Sequence, residues 1–184
     1  MCKFMAVFLI FLILLVVALF FIYNTHSVSL TGNPEVSLEQ MKTWAIDSNA
    51  HQRFIDIADV YWKYGELTGI RPDVLYAQSA YETGYGHYGG QVPSSHNNWA
   101  GIKTADGNRF EQFITPEEGV RAHFNHMSAY IGLKPIGEPH GRYYTVKSMS
   151  WSGKVLYVDQ LSGKWASNKD YHKVILRMLR EMAV

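Results

Sequence analysis

The chain has 184 residues, with 17 lysines and arginines, 16 aspartates and glutamates, and one cysteine. This length leaves enough residues, after an N-terminal apolar stretch is set aside, for a single domain with its own hydrophobic core. The charges balance almost completely, which argues against nucleic-acid binding, because such proteins usually carry a basic face. The single cysteine, Cys2, excludes a disulfide within the chain.

Residues 4–23 form an apolar run without a charged residue. At the helical rise this run is long enough to cross the hydrocarbon core of a bilayer. Because Lys3 precedes it, we expect a signal-anchor helix over residues 1–23 in the cell membrane, with a cytoplasmic N-terminus and an extracytoplasmic domain. The alternative is a cleaved signal peptide, since Ser27 and Ser29 have a suitable separation, although the apolar core is longer than usual. Polar residues 24–36 then predict a tether.

Two helical regions are predicted before the candidate site. Ser37 and Gln40 have the spacing of a capping box, which marks the start of a helix and of a domain over residues 37–184. Phe54, Ala58 and Tyr61 recur at helical spacing. The pattern predicts one core helix over residues 49–65.

A third helix carries the most informative residue, Glu82. Pro72 suits the first turn of a helix, and Gly84 stops it, so Glu82 lies in the last turn. The helix carbonyl end and apolar neighbours both disfavour an ionised carboxylate and raise its pKa. A protonated carboxylic acid can serve as the general acid of glycoside hydrolysis, with Gln78 on the same helix face. The alternative is an ordinary solvated glutamate.

The segment after this helix is predicted to be a loop, because four glycines fall between residues 84 and 90. Loops beside a fixed helix end often carry binding groups. Aromatic rings could stack on sugar rings there, and amides could bond acetamido groups. The candidate substrate-binding residues are Gln78, Tyr81, Tyr85, Tyr88, Asn97, Asn98 and Trp99. The alternative makes Trp99 a core residue and the two asparagines a turn pair.

Residues 102–113 predict a small β-hairpin, because short apolar segments alternate around Asp106-Gly107. Thr115 and Glu118 then form a capping box at the start of the next helix. His123 and His126 share a side of that helix, but no third ligand is visible nearby, so we predict neither a metal nor another cofactor.

The segment over residues 132–160 is predicted to be irregular and to contribute to the wall of a cleft. An amphipathic helix follows, beginning near Tyr171 and closing the core. The segment from Trp165 to Asp170 is predicted to lead into that helix.

Together these motifs resemble the glucosaminidase domain of bacterial cell-wall hydrolases, glycoside hydrolase family 73, within the lysozyme-like superfamily. The resemblance covers residues 54–131 and, more weakly, 164–180. It rests on the order of four motifs rather than on any one of them. They are Tyr81-Glu82-Thr83-Gly84-Tyr85-Gly86, the segment from Asn97 to Lys103, Phe110-Glu111-Gln112-Phe113, and Thr115-Pro116-Glu117-Glu118.

The resemblance implies a mostly helical α+β, lysozyme-like domain that cuts the β-1,4 bond after N-acetylglucosamine in peptidoglycan. It implies Glu82 as the catalytic acid and a substrate-positioning role for Tyr171. The hairpin is shorter than in many members, so Glu111 and Asp106 both stay open as a second carboxylate, as does attack by the substrate's own acetamido group. A lytic transglycosylase and a non-catalytic peptidoglycan-binding scaffold are the alternative functions.

Overall fold

A computed structural model of the chain describes residues 27–184, and seven α-helices build most of this part. Two short 3-10 turns, Ser94–His96 and Val158–Leu161, lie between helices. The helices are α1 (Leu38–Asp47), α2 (Gln52–Asp56), α3 (Ala58–Thr68), α4 (Pro72–Thr83), α5 (Pro116–Ile131), α6 (Gly141–Lys147) and α7 (Tyr171–Met182).

Extended structure within residues 27–184 is limited to isolated bridges. The predicted hairpin is one of them, an antiparallel pair between Lys103 and Phe110. The Thr104 N–H donates to the Arg109 carbonyl at 2.9 Å, and the Gly107 N–H donates back to the Thr104 carbonyl at 2.8 Å. The domain is therefore mostly helical with little strand, consistent with a lysozyme-like fold.

Helix α4 is the buried centre of this fold and packs against α3 and α7. It begins at Pro72 and ends at Gly84, which has a left-handed φ of 56° and donates its N–H to the Ala80 carbonyl. Such a backbone angle favours glycine, because a Cβ would be strained there. The sequence prediction for this helix is confirmed, with Glu82 in its last turn.

The prediction of a single helix over residues 49–65 is wrong, because the structure has two helices there, α2 and α3. Asn49 adopts a left-handed φ of 54°, and the His51 ring nitrogen accepts from the Arg53 N–H, which caps a new helix, α2. Ile57 separates α2 from α3. The apolar spacing still buries Phe54 fully, because both helices face the same core.

The segment predicted as a tether packs on the domain in its described part. Leu30 is fully buried, its N–H donates to the Leu156 carbonyl, and its own carbonyl accepts from the Arg71 N–H. Glu35 forms an ion pair with Arg71. Apolar burial of Leu30 thus fixes residues 28–36 to the core.

The predicted membrane anchor, residues 1–23, lies outside the described residues. Across residues 27–184, no helix has the length and apolar character needed to cross a membrane.

Residues 132–160, predicted to be irregular, contain helix α6, which packs against α5. Tyr143 and Val146 are buried on its inner side. The helix was hidden in the sequence because its seven residues are too few to show a clear apolar period.

Gly119 is expected to tolerate no larger residue, although it lies within helix α5. A Cβ there would fall 1.7 Å from the Asn97 carbonyl oxygen, so the two segments would have to separate. We expect Gly119→Ala to lower the free energy of unfolding by about 1–3 kcal/mol or more, against the usual preference of helices for alanine. Urea unfolding measures this, with Gly90→Ala as the control, because a Cβ at Gly90 meets nothing within 4 Å. Equal stability of both variants would contradict the close approach.

Candidate active site

A cleft of about 400 Å³ opens at the end of α4, beside Glu82. Its walls come from the loop before the hairpin, from α5, from the start of α6 and from the segment that precedes α7. Besides Glu82, the lining residues are Ala100, Gly101, Ile102, Lys103, His126, Tyr130, Arg142, Lys164, Trp165, Ala166 and Ser167.

The Glu82 carboxylate is held by two hydrogen bonds to one of its oxygens. The Tyr171 hydroxyl donates to Oε1 at 3.0 Å, and the Trp165 indole N–H donates to the same atom at 3.2 Å. Burial raises the pKa of Glu82, and these two donors oppose the rise without cancelling it. The site therefore favours a protonated Glu82 more than water would.

The other oxygen of Glu82, Oε2, lies against the loop before the hairpin. A Cβ added at Gly101 would be 3.4 Å from Oε2, and Gly101 has a left-handed φ of 59°. Glycine therefore meets two requirements here, the backbone angle and the close approach to the carboxyl group.

Tyr171 is fully buried at the first position of α7 and connects Glu82 to Gln78. The Gln78 amide Nε2 donates to the Tyr171 hydroxyl at 3.0 Å, while that hydroxyl donates to Glu82. Burial, and next the charge of Glu82, raises the pKa of Tyr171 well above its ordinary value, so it stays a neutral donor. The predicted residues Gln78, Glu82 and Tyr171 thus form one hydrogen-bonded chain.

Trp165 contacts Glu82, although the sequence predicts only that it leads into the last helix. Its ring packs on three rings of helix α5, with centroid separations of 5.3 Å to His123, 5.1 Å to His126 and 5.3 Å to Tyr130. This packing fixes the indole N–H that points at Glu82. The weaker family resemblance over residues 164–180 was the one feature of the sequence that pointed to this segment.

Two histidines of α5, His123 and His126, and His140 at the start of α6 are neutral members of this aromatic cluster. His123 is fully buried, its Nδ1 lies 2.9 Å from the Tyr61 hydroxyl, and burial lowers its pKa to about 3. Burial likewise lowers the pKa of His126 well below its ordinary value, and that of His140 to about 4. No group of three metal-ligating side chains occurs within residues 27–184.

Of the predicted aromatic binding residues, the structure places only Tyr81 beside the Glu82–Tyr171 pair. Tyr81 is 41% exposed, and its ring meets that of Tyr171 edge-on at 5.5 Å. Tyr85 packs away from the cleft, on Trp44 at 5.3 Å and on Phe54.

The rings of Tyr88 and Trp99 belong to the packing behind the loop. Trp99 is fully buried, and its indole N–H donates to the Pro116 carbonyl at 3.1 Å. Tyr88 lies 5.8 Å from Trp99, and the Arg53 guanidinium covers both rings. Trp99 therefore takes the core position that the sequence reasoning kept as its alternative.

The two asparagines hold the loop together through its backbone. The fully buried Asn98 side chain donates to the Ile102 and Glu111 carbonyls and accepts from the Ile102 N–H at 2.9 Å. Asn97 has a left-handed φ of 49°, and its side chain donates to the Phe113 carbonyl at 3.0 Å. Asn98 thus fixes the backbone on both sides of Gly101, Asn97 ties the loop to residues 113 and 114, and neither side chain lines the cleft.

The two candidates for a second carboxylate lie away from the lining of the Glu82 cleft. Glu111 lines a separate hollow with Thr104, Asn108 and Arg109, and burial raises its pKa. Asp106 is exposed in the hairpin turn, where hydrogen bonds from Thr104 and then Asn108 lower its pKa. Among the described residues that line the cleft, Glu82 is the one carboxylate.

A mostly helical domain whose central helix ends in a glutamate that opens to a cleft is consistent with a lysozyme-like fold. The family model for glucosaminidase, described as mannosyl-glycoprotein endo-beta-N-acetylglucosaminidase, matches residues 58–183. The chain therefore belongs to the glucosaminidase family and is a glycoside hydrolase, which confirms the resemblance found in the sequence.

Similarity to individual proteins is more distant. An uncharacterized protein of Borreliella burgdorferi is 27% identical over 162 residues, which cover 83% of this chain and 76% of that protein. No solved structure matches the chain.

Trp165→Phe is expected to move the pH dependence of glycan hydrolysis. Phenylalanine keeps an aromatic ring on His126 and Tyr130 but removes the N–H that stabilises ionised Glu82. Loss of a donor to the charged form raises the pKa of Glu82, so the alkaline limb of the kcat/KM profile should move to higher pH.

The matched control is Trp62→Phe, because the Trp62 indole N–H also donates to a glutamate, Glu66, but at the surface. Its profile should coincide with that of the unmodified chain. A Trp165→Phe limb that stays in place, or moves to lower pH, would contradict the assigned hydrogen bond.

Proposed function

We propose that this protein is an endo-β-N-acetylglucosaminidase that hydrolyses the β-1,4 bond after N-acetylglucosamine in peptidoglycan, with Glu82 as the general acid. One observation carries the proposal. Glu82 is desolvated at the end of a buried helix, opens to a cleft, and accepts hydrogen bonds from Trp165 and Tyr171, which lie 83 and 89 residues further along the chain.

The hydrogen bonds assign different tasks to the two oxygens of Glu82. Oε1 accepts from both Tyr171 and Trp165, so it is the oxygen that remains without a proton when the group is neutral. The acid proton then resides on Oε2, on the side of Gly101. From there Glu82 protonates the glycosidic oxygen as the bond to the anomeric carbon breaks.

We assign the role of nucleophile to the substrate's acetamido group. In the first step its carbonyl oxygen attacks the anomeric carbon, the glycosidic bond breaks, and the leaving oxygen takes the Glu82 proton. In the second step water attacks the anomeric carbon, its proton passes to the ionised Glu82, and the bond from the acetamido oxygen to that carbon breaks, which restores the acetamido group. This route needs no second protein carboxylate. The proposal is supported by the cleft lining, in which Glu82 is the one carboxylate among the described residues.

Mass spectrometry of digested peptidoglycan tests the bond and the reaction. The proposal predicts soluble fragments that end in a reducing N-acetylglucosamine. Fragments that end in anhydro-muramic acid would identify a lytic transglycosylase instead. Retention on the polymer without any fragment would identify a scaffold.

We also propose that the apolar run of residues 4–23 holds the enzyme at the membrane, with the domain outside. Protease treatment of intact cells would then remove the domain while a cytoplasmic marker survives. Protection of both would contradict this placement.

A further inference from the structure

Arg142 is a cleft residue to which the proposed reaction gives no task. It is the second residue of α6, is half-buried, and lines the same cleft as Glu82. Within residues 27–184 its guanidinium makes no hydrogen bond and no ion pair. One terminal nitrogen, Nη1, would lie 3.8 Å from a Cβ added at Gly107, so the side chain reaches across to the hairpin turn.

The surroundings of this guanidinium do not neutralise it. Its charge is felt by Tyr130, His126 and His140, which are neutral groups of the adjacent wall. Glu82 is the one carboxylate among the described lining residues, and it must be protonated to act as an acid. Arg142 therefore has no negative partner when the site is ready to react.

Two lysines line the cleft with Arg142, and both ammonium groups have contacts elsewhere. The Lys164 ammonium donates to the Gln160 carbonyl at 3.2 Å, and the Lys103 ammonium lies 5.9 Å from the centre of the Phe110 ring. Together with Arg142, the two lysines give the cleft wall an excess of positive charge. A neutral sugar polymer has no anionic group that could bind to this charge. A half-buried guanidinium without a partner is instead suited to a carboxylate, which it can bind with two parallel hydrogen bonds.

We propose that Arg142 is a specificity-determining residue that binds a carboxylate of the glycan substrate, so that the cleft selects acidic, muramic-acid-containing strands over neutral ones. This inference rests on the proposed function. The carboxylate has two possible sources, the lactyl group of a peptide-free muramic acid and the acidic groups of the stem peptide. Both present the same chemistry to Arg142.

The test uses the full chain and three substrates: native peptidoglycan, peptide-free glycan strands, and peptidoglycan whose carboxyl groups have been converted to amides. Arg142→Gln should lower kcat/KM at least about tenfold on the polymer that presents the bound carboxylate, native peptidoglycan or peptide-free strands, because it removes a charge-assisted pair of hydrogen bonds. On the amidated polymer the unmodified chain and Arg142→Gln should be equal. On the polymer that presents the bound carboxylate, the kcat/KM of Arg142→Lys, which keeps the charge, should lie between those of the unmodified chain and Arg142→Gln.

The matched control is Arg109→Gln, which removes the same charge from an exposed position that lines the separate hollow. It should behave as the unmodified chain. Dependence on Arg142 with peptide-free strands assigns the lactyl carboxylate, and dependence confined to peptide-bearing strands assigns the stem peptide. An Arg142→Gln effect that is absent on both native peptidoglycan and peptide-free strands, or equal on the amidated polymer, would overturn the inference.

Failure of the proposed function gives a different result, because the unmodified chain would then cleave none of the substrates. Sedimentation of the chain with native and amidated polymer decides the role of Arg142 in that case. Binding that is weakened both by Arg142→Gln and by amidation supports this role of Arg142. Binding that either change leaves unaltered overturns it. Melting curves of Arg142→Gln and Arg142→Lys separate a loss of binding from a loss of folding.

Discussion

Glu82→Gln is expected to lower kcat for peptidoglycan hydrolysis about 10²–10⁴-fold, the range for loss of a general acid, while the domain stays folded. The glutamine oxygen can still accept from Tyr171 and Trp165, so the two donors keep their partner. The amide has no acidic proton to give to the glycosidic oxygen. Release of new reducing ends measures the activity, and thermal unfolding measures the fold.

Glu66→Gln is the matched control for this variant. Glu66 also accepts from a tryptophan N–H, that of Trp62 at 2.9 Å, but it is exposed on α3, away from the cleft. Its activity should be unchanged. A Glu82→Gln variant that keeps more than about a tenth of the activity would contradict the role of Glu82 as general acid.

Asp73→Ala is expected to be the most destabilising change at an ion pair in the described part of the chain. Asp73 is fully buried in the first turn of α4, where it bonds the guanidinium of Arg71, itself 4% exposed, and the Glu35 N–H. Without Asp73, the buried guanidinium of Arg71 keeps its pair with the exposed Glu35 but loses its buried partner, which costs about 3 kcal/mol of the free energy of unfolding, the lower end of the range for a broken buried pair. Urea unfolding measures this loss.

The control for Asp73 is Asp59→Ala, which removes the partner of Lys42 in an exposed ion pair. Such pairs contribute about 0–1 kcal/mol, so the control should unfold almost as the unmodified chain does. A similar loss in both variants would show that burial does not distinguish the two pairs. Asp73 and Glu82 lie at opposite ends of α4, so Asp73 has no part in the chemistry. The activity of Asp73→Ala should therefore fall only as far as its folded fraction falls.

The helix that carries Glu82 could be predicted from the sequence because its signals are local. Proline at its first position and glycine after its last one act through their own backbone angles, whatever packs around them. The break at Asn49 and Ile57 was not visible in the same way. The apolar spacing continues through it, and the left-handed angle of Asn49 is a choice among several that asparagine can adopt.

The contacts that define the site are instead long-range. Tyr171 was placed at the site through the family resemblance, since nothing in the local pattern of α7 distinguishes it from a core residue. The contact of Trp165 with Glu82 joins residues 83 positions apart, and the ring is fixed by histidines of another helix. Such a contact depends on how helices pack, which periodicity does not specify.

Asn97, Asn98 and Trp99 show a different limit of prediction from the sequence, because each of these residue types suits two roles. Amides bind sugars, and they also satisfy buried backbone groups in irregular loops. The structure gives Asn98 the second role, with backbone partners at Ile102 and Glu111. Burial decides between the two roles, and burial is a property of the folded chain rather than of the motif.

Digestion of peptidoglycan in water enriched in heavy oxygen, by the unmodified chain and by Glu82→Gln in parallel, tests the hydrolytic role of Glu82 most directly. We expect every new reducing N-acetylglucosamine end, reduced at once with borohydride, to carry one oxygen from the solvent by mass spectrometry. We expect such ends to be absent from the Glu82→Gln digest. Unlabelled anhydro-muramic acid ends, or labelled ends in equal yield from Glu82→Gln, would contradict hydrolysis driven by Glu82.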